Sequence, residues 1–218
     1  MLIRLRGELR PLITTRLASV LLLLCVARPA AAARTLAIDA AASSVLVHVG
    51  KTGIGSFAGH EHDAVAHAVS GEVIADFDEL SRSSLDVTVE AKSLTITDRD
   101  ESAEDVHKIE QAMLSPEVLD VARFPIIRFR SRAVTGTQIS TGVYAGAVAG
   151  ELTLHGTTKS AIVPLQLEMR DDTLTARGSM ALKQTEFGIH PVSFAGGLVK
   201  VEDEVTVSFR IVARPATR

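Results

Sequence analysis

Apolar residues recur at every second position through much of the chain, and this period of two constrains the fold more than any other feature. Successive side chains of a β-strand point to opposite faces, so strict alternation predicts strands with two different faces. The alternating sets are Val45, Val47 and Val49; Leu85, Val87, Val89 and Ala91; Ile127 and Phe129; Ala161, Val163, Leu165, Leu167 and Met169; Leu174, Ala176, Gly178, Met180 and Leu182; and Val205, Val207, Phe209, Ile211 and Ala213.

Short polar segments between these sets predict turns, at residues 81–84, 135–137, 155–157 and 171–172. Short connections between alternating strands favour an antiparallel meander. Because closure removes exposed sheet edges, we expect a single antiparallel β-barrel of about eight strands, an all-β fold.

One segment departs from the period of two. Val106, Ile109 and Met113 recur at helical spacing within residues 101–114, and Ser102 with Asp105 resembles a capping box. Because Pro116 ends the pattern, the sequence predicts one amphipathic α-helix flanking the barrel.

Small residues occupy several strand positions and bear on whether the barrel is hollow. These residues are Ala145, Ala147, Ala149, Ala176 and Gly178. If they face inward, a barrel of this size is left partly unfilled and could hold a ligand. If they face outward or lie under the helix, they create no space, and the alternation alone leaves both interpretations open.

The N-terminus has the order of a secretory signal peptide. A basic lead contains Arg4, Arg6, Arg10 and Arg16, an apolar run covers residues 17–27, and four alanines end at Ala33. This order predicts cleavage after Ala33, with residues 1–33 as signal peptide and residues 34–218 as mature chain. An uncleaved anchor is the alternative, although the run is shorter than the roughly 20 apolar residues of a membrane span.

Cysteine content and charge narrow the chemistry of the mature chain. Cys25, the only cysteine, lies in the leader, so neither a disulfide nor thiol chemistry is expected after cleavage. Removing residues 1–33 takes away five of 23 basic and one of 26 acidic residues, which changes the net charge from −3 to about −7. Such a charge argues against nucleic acid and anionic lipid headgroups as partners. No stable membrane span is expected after cleavage, and a homodimer is left open.

Histidines are the main polar anomaly of a chain without a G-x-S-x-G nucleophile motif. His60 and His62 would share one face of a strand, whereas Asp63 and His67 would lie on the other. Two imidazoles alone fall short of the three or four protein ligands of usual zinc sites. We therefore expect the pair to hydrogen-bond a polar headgroup at a barrel mouth, with a metal site at His60 and His62 as the alternative.

Several segments, in order and spacing, resemble the YceI-like polyisoprenoid-binding proteins of the bacterial periplasm. The resemblance covers about residues 38–212 and rests on residues 38–39 (ID), 44–47 (SVLV), 56–62 (SFAGHEH), 123–131 (RFPIIRFRS), 150–159 (GELTLHGTTK), 185–189 (TEFGI) and 201–205 (VEDEV). The chain departs from the family before Arg123, where the paired phenylalanines often found there are absent.

The resemblance implies a lipocalin-like barrel at residues 34–218 with a tunnel for a long isoprenoid, and a non-enzymatic role in periplasmic transport or storage. An isoprenoid lipid or quinone would be the bound group, with no further cofactor. The residues expected to contact it are Phe57, His60, His62, Met113, Phe129, Leu154, Phe187, Ile189 and Phe194. Two alternatives stay open: a metal-binding or redox-linked protein using His60 and His62, and a stress-response structural protein with a solid barrel.

Overall fold

The computed structural model describes residues 33–52, 61–97, 101–194 and 199–216, which form twelve β-strands, one α-helix and several short 3-10 turns. The elements are β1 (Arg34–Ile38), β2 (Ser44–Thr52), β3 (His62–Ala66), β4 (Val69–Ala75), β5 (Ser84–Glu90), β6 (Leu94–Ile96), α1 (Ala103–Leu114), β7 (Ile126–Ser140), β8 (Val143–Leu154), β9 (Thr157–Arg170), β10 (Thr173–Lys183), β11 (Ser193–Phe194) and β12 (Val199–Pro215).

The strands close into an antiparallel barrel. The sheet runs β1-β4-β5-β7-β8-β9-β10-β12, and β1 pairs with both β4 and β12, so this circuit of eight strands has no open edge. β12 pairs first with β2 and then with β1, so β2 continues the part of the wall that β1 forms. β3 and β6 extend β4 and β5 in the same way. The prediction of an all-β, eight-stranded antiparallel barrel with one helix is confirmed.

Three neighbouring barrel strands bend at one level of the wall. The bends lie at residues 40–42, 67–68 and 91–93, between the paired segments. Backbone hydrogen bonds bridge the bends, from His67 N to Ser93 O at 3.3 Å and from Glu90 N to Ala68 O at 3.0 Å. The sheet therefore stays connected while its wall changes direction.

These bends separate β6 from β7. β7 pairs with β5 only where residues 126–130 face residues 86–90, so β6 has no strand partner on that side within the described chain. Helix α1 lies there instead, and the Ile96 N–H donates to the Glu110 carboxylate at 2.9 Å. As predicted, Ser102 caps the helix by accepting from the Asp105 N–H at 3.1 Å.

The turns follow the sequence at three sites and depart from it at one. His155 and Gly156 have φ of 49° and 72°, as a two-residue hairpin turn of type I′ requires, and Asp171 also has positive φ. The turn predicted at residues 135–137 is wrong, because these residues lie within β7 and the chain reverses at residues 141–142. Gly136 lies opposite Gly146. A Cβ on Gly146 would come within 2.0 Å of Thr135 O, so glycine at this position allows close strand pairing.

Candidate functional site

The barrel encloses a cavity of about 380 Å³. Its wall is formed by the inward side chains of the barrel strands and by one side of α1. The lining includes most of the alternating sets found in the sequence: Val45, Val47, Val49, Leu85, Val87, Val89, Ile127, Phe129, Val163, Leu165, Leu167, Leu174, Ala176, Met180, Leu182, Val205, Val207, Phe209 and Ile211. The alternation therefore identifies the cavity wall.

The small residues divide between the two faces of the wall. Ala176 lines the cavity, whereas Ala145, Ala147 and Ala149 alternate with the lining residue Val148 and so face outward. The cavity consequently does not owe its space to the alanines of β8.

The two ends of the cavity are formed by different elements. We call the end that carries α1 and the turns at residues 155–156 and 184–188 the helix end, and the other the hairpin end. A buried cluster of Leu36, Ala75, Leu174 and Ala213 lies at the hairpin end, with Leu36 and Ala213 each only 1% exposed. At the same end the rings of Phe77 and Tyr144 lie 5.5 Å apart between centroids.

Helix α1 contributes part of the lining at the helix end. Ile109, Ala112 and Met113 face the cavity, although no residue of the helix is fully buried. The helix thus fills the place beside β6 that a further strand would otherwise take.

Polar residues are few among the described lining residues. They are His62 and Gln184 at the helix end, and Ser83 and Ser84 at the hairpin end. The remaining described lining residues are aliphatic or aromatic, so the cavity provides a predominantly apolar surface with polar groups confined to its ends.

Five of the residues expected to contact a ligand line the cavity: His62, Met113, Phe129, Leu154 and Ile189.

Phe187 was also expected to contact a ligand, but it does not line the cavity. It is 3% exposed and packs against Leu152, Leu154 and Ile189. Phe57 and His60 lie outside the described residues, as does the side chain of Phe194.

Within the described part of the histidine segment, His62 and Asp63 lie on opposite faces of β3, as the period of two predicts. His62 lines the cavity, whereas Asp63 lies across from His48, with 2.8 Å between His48 Nδ1 and an Asp63 carboxylate oxygen. His67 lies at the bend, with Nε2 2.8 Å from Thr95 Oγ1. No group of three metal-ligating side chains occurs within the described ranges, and the pairing of His60 with His62 lies outside them.

Gln184 was not anticipated as a lining residue, although the sequence contains a signal for it. The alternating set of β10 ends at Leu182, and one more step of two leads to Gln184. The search for apolar residues stops at Leu182, and Gln184 begins the 3-10 turn that follows the end of β10 at Lys183.

Ion pairs lie on the outside of the barrel. Asp86 on β5 accepts from Arg128 Nε at 2.7 Å and from Arg130 Nη2 at 3.2 Å, both on β7. The hydrogen bond from Arg128, supported by Arg130, holds the pKa of the Asp86 carboxyl below its usual value.

Replacing Asp86 with Asn should destabilise the protein slightly at neutral pH. A carboxyl whose pKa is lowered on folding stabilises the fold above its unfolded pKa of about 3.9, and this contribution is lost as the pH falls through the lower folded value. Because the pair is partly exposed, we expect a loss below about 1 kcal/mol at pH 7. Urea unfolding of both proteins at pH 7 and in strong acid should show the difference only at pH 7; a difference that persists in acid would contradict this explanation.

The chain and its barrel fold can be compared with known proteins. A family model described as a YceI-like domain matches residues 36–213. The chain belongs to the YceI-like family. No curated protein sequence matches it significantly.

Solved structures share the fold of this YceI-like chain. Burkholderia cenocepacia BcnA matches with a TM-score of 0.61 and 20% identity, over 83% of this chain and 99% of that chain. A polyisoprenoid binding domain from Saccharophagus degradans, implicated in plant cell wall breakdown, matches with a TM-score of 0.60 and 13% identity, over 83% and 98%. The Campylobacter jejuni YCEI protein matches with a TM-score of 0.54 and 13% identity, over 71% and 85%. At these identities the likeness shows the YceI-like fold alone.

The α-helix of this YceI-like protein is short. No helix within the described residues is long and apolar enough to cross a bilayer.

Proposed function

We propose that this YceI-like protein binds one elongated apolar molecule, a polyisoprenoid or related lipid, noncovalently inside its barrel. The observation that carries the proposal is the cavity of about 380 Å³ with its predominantly apolar lining. This volume falls within the range of roughly 300–1,000 Å³ for ligand pockets. The isoprenoid class is favoured because one protein with this fold is a polyisoprenoid binding domain.

The lining provides the energy that such binding needs. Burying a methylene group contributes about 0.8 kcal/mol, so a chain of some 20 carbons could offset the entropic cost of association without a covalent bond. The lining offers contact area rather than reactive groups, and we therefore propose binding rather than catalysis. The space inside the barrel also counts against the alternative of a solid structural protein.

The direct test uses delipidated mature protein and the C20 isoprenoid alcohol geranylgeraniol. Native mass spectrometry should show one molecule bound per chain, and the complex should dissociate in organic solvent because no covalent bond forms. Glycerol serves as a polar control that should not be retained. Failure of geranylgeraniol and of longer isoprenoids to bind would reject the proposal.

We further propose that the protein acts in the periplasm, in transport or storage of its ligand, after removal of residues 1–33. The support is the basic, apolar and alanine-rich order of the N-terminus together with membership of the YceI-like family. N-terminal sequencing of protein from its native host should begin at or near Arg34. An intact Met1 on a membrane-bound form would contradict both the cleavage and the location.

A further inference from the structure

The two ends of the cavity offer very different hydrogen-bonding capacity. At the hairpin end, the Ser83 hydroxyl accepts from Asp76 N at 2.9 Å and donates to Asp76 O at 3.3 Å. Its donor is therefore used within the turn, and the surrounding cluster of Leu36, Ala75 and Leu174 is apolar. Ser84, also at this end, precedes the lining residue Leu85 and pairs with Ile74, which is not among the lining residues, so its side chain faces outward.

Gln184 at the helix end retains more hydrogen-bonding capacity. It is half-buried just after β10, and its Nε2 donates to Glu202 O at 2.8 Å. A glutamine amide has two N–H donors and an oxygen that accepts two hydrogen bonds. The bond to Glu202 uses one donor and fixes the amide at the cavity wall, and the second donor and the amide oxygen can serve a bound molecule.

His62 lies at the same end of the cavity as Gln184. Across the wall, His62 pairs with Val49, Val49 with Val205, and Val205 with Leu182, two residues before Gln184. Strands β12 and β2 therefore separate the two polar side chains along the wall. Both therefore lie at the helix end of the cavity.

We propose that the ligand lies with its apolar chain toward the hairpin end and with an uncharged hydrogen-bonding end group, such as a hydroxyl or carbonyl, at Gln184. This inference rests on the proposed function and adds the orientation and the class of end group. An amide both donates and accepts, so it suits a neutral polar group rather than an ion.

Charges near Gln184 disfavour an anionic end group. The carboxylate of Asp203 accepts from Thr185 N at 2.8 Å and from Thr185 Oγ1 at 2.7 Å, next to Gln184 in the chain. These hydrogen bonds, the backbone one foremost, lower the pKa of Asp203 and keep it ionised. Lys51 lies on β2, opposite Val201 of β12, and already interacts with another group of the protein. Lys183, the residue before Gln184, also acts on the Asp203 carboxylate and contributes to its lowered pKa, so its charge is opposed by that carboxylate. Among the described residues, a phosphate at Gln184 would therefore lose water without gaining an uncommitted cation.

Three C20 isoprenoid probes test this inference: geranylgeraniol, the hydrocarbon phytane, and geranylgeranyl monophosphate. Displacement of an apolar fluorophore gives their relative affinities. In the unmodified mature protein, the alcohol should bind about two- to tenfold more tightly than the hydrocarbon, the gain expected of a neutral hydrogen bond. It should bind at least about tenfold more tightly than the phosphate.

Variants at Gln184 locate the end group. Gln184→Leu should reduce the preference for alcohol over hydrocarbon to about unity. Gln166→Leu is the matched control, because Gln166 is exposed on the outer face of β9, and it should leave the preference unchanged. Gln184→Arg should raise affinity for the monophosphate about tenfold or more, because guanidinium pairs with phosphate in a bidentate manner. Gln184→Arg is needed as a second variant because Gln184→Leu also removes the hydrogen bond to Glu202 O, which is a structural change separate from the loss of the ligand contact.

The outcomes separate this inference from the proposed function. If the alcohol preference survives Gln184→Leu, or is lost equally in Gln166→Leu, the orientation is wrong. An unchanged monophosphate affinity in folded Gln184→Arg would also overturn it. If no probe binds the unmodified protein, the proposed function itself fails.

Discussion

Phe129→Asp is expected to abolish lipid uptake. Phe129 lies on β7 between Val87 of β5 and Leu152 of β8, and its ring lines the cavity. An aspartate there would place an ionised carboxylate against an apolar ligand, and such a group costs several kcal/mol to bury unpaired. The apparent Kd for geranylgeraniol should therefore rise about a hundredfold or more.

Thr135→Asp is the matched control, because Thr135 is an exposed residue of the same strand that bonds to Ala147 O at the outer surface. It adds the same charge outside the cavity and should leave binding unchanged. Unaltered uptake by folded Phe129→Asp would remove this residue from the binding wall. Phe187→Asp should also lose uptake, but through destabilisation, because Phe187 is buried within the wall without lining the cavity.

Leu36→Ala is expected to cause the largest loss of stability, about 2–5 kcal/mol. Leu36 is 1% exposed and lies on β1, where it faces Val73 of β4 and Pro215 of β12. It therefore packs where the circuit of strands closes, and truncation would leave a void at that closure. Chemical denaturation gives the free energy of unfolding of both proteins.

Ile162→Ala removes aliphatic atoms of the same kind from the outer face of β9, where Ile162 is 72% exposed. Its expected change lies within about 0.5 kcal/mol. Equal losses in the two variants would show that the closure at Leu36 is not a main source of stability.

The sequence predicted the barrel and most of its inner face because one physical rule governs both. A strand that separates water from an apolar interior must alternate, so Val45, Val163 and Phe209 could be assigned to one face before any contact was known. The helix was equally readable, because its cap and its apolar spacing are local features.

Other features depend on contacts that no local pattern encodes. Gly136 resembled a turn glycine, whereas its role depends on Gly146 of the next strand. Likewise, Phe187 is apolar and close to lining residues, yet its ring packs within the wall. The bends that separate β6 from β7 and make room for α1 follow from pairing across the sheet. Whether the barrel was hollow could not be decided, because that depends on how all inward side chains fill one volume.

The central claim is that the barrel holds an elongated apolar molecule, and native mass spectrometry of protein purified from its native host without detergent tests it most directly. We predict a species heavier than the polypeptide from Arg34 onward by the mass of one lipid. Organic extraction should release that lipid intact, and Phe129→Asp prepared in the same way should lack it. Protein that carries no added mass, and that acquires none when supplied with isoprenoids, would contradict the account.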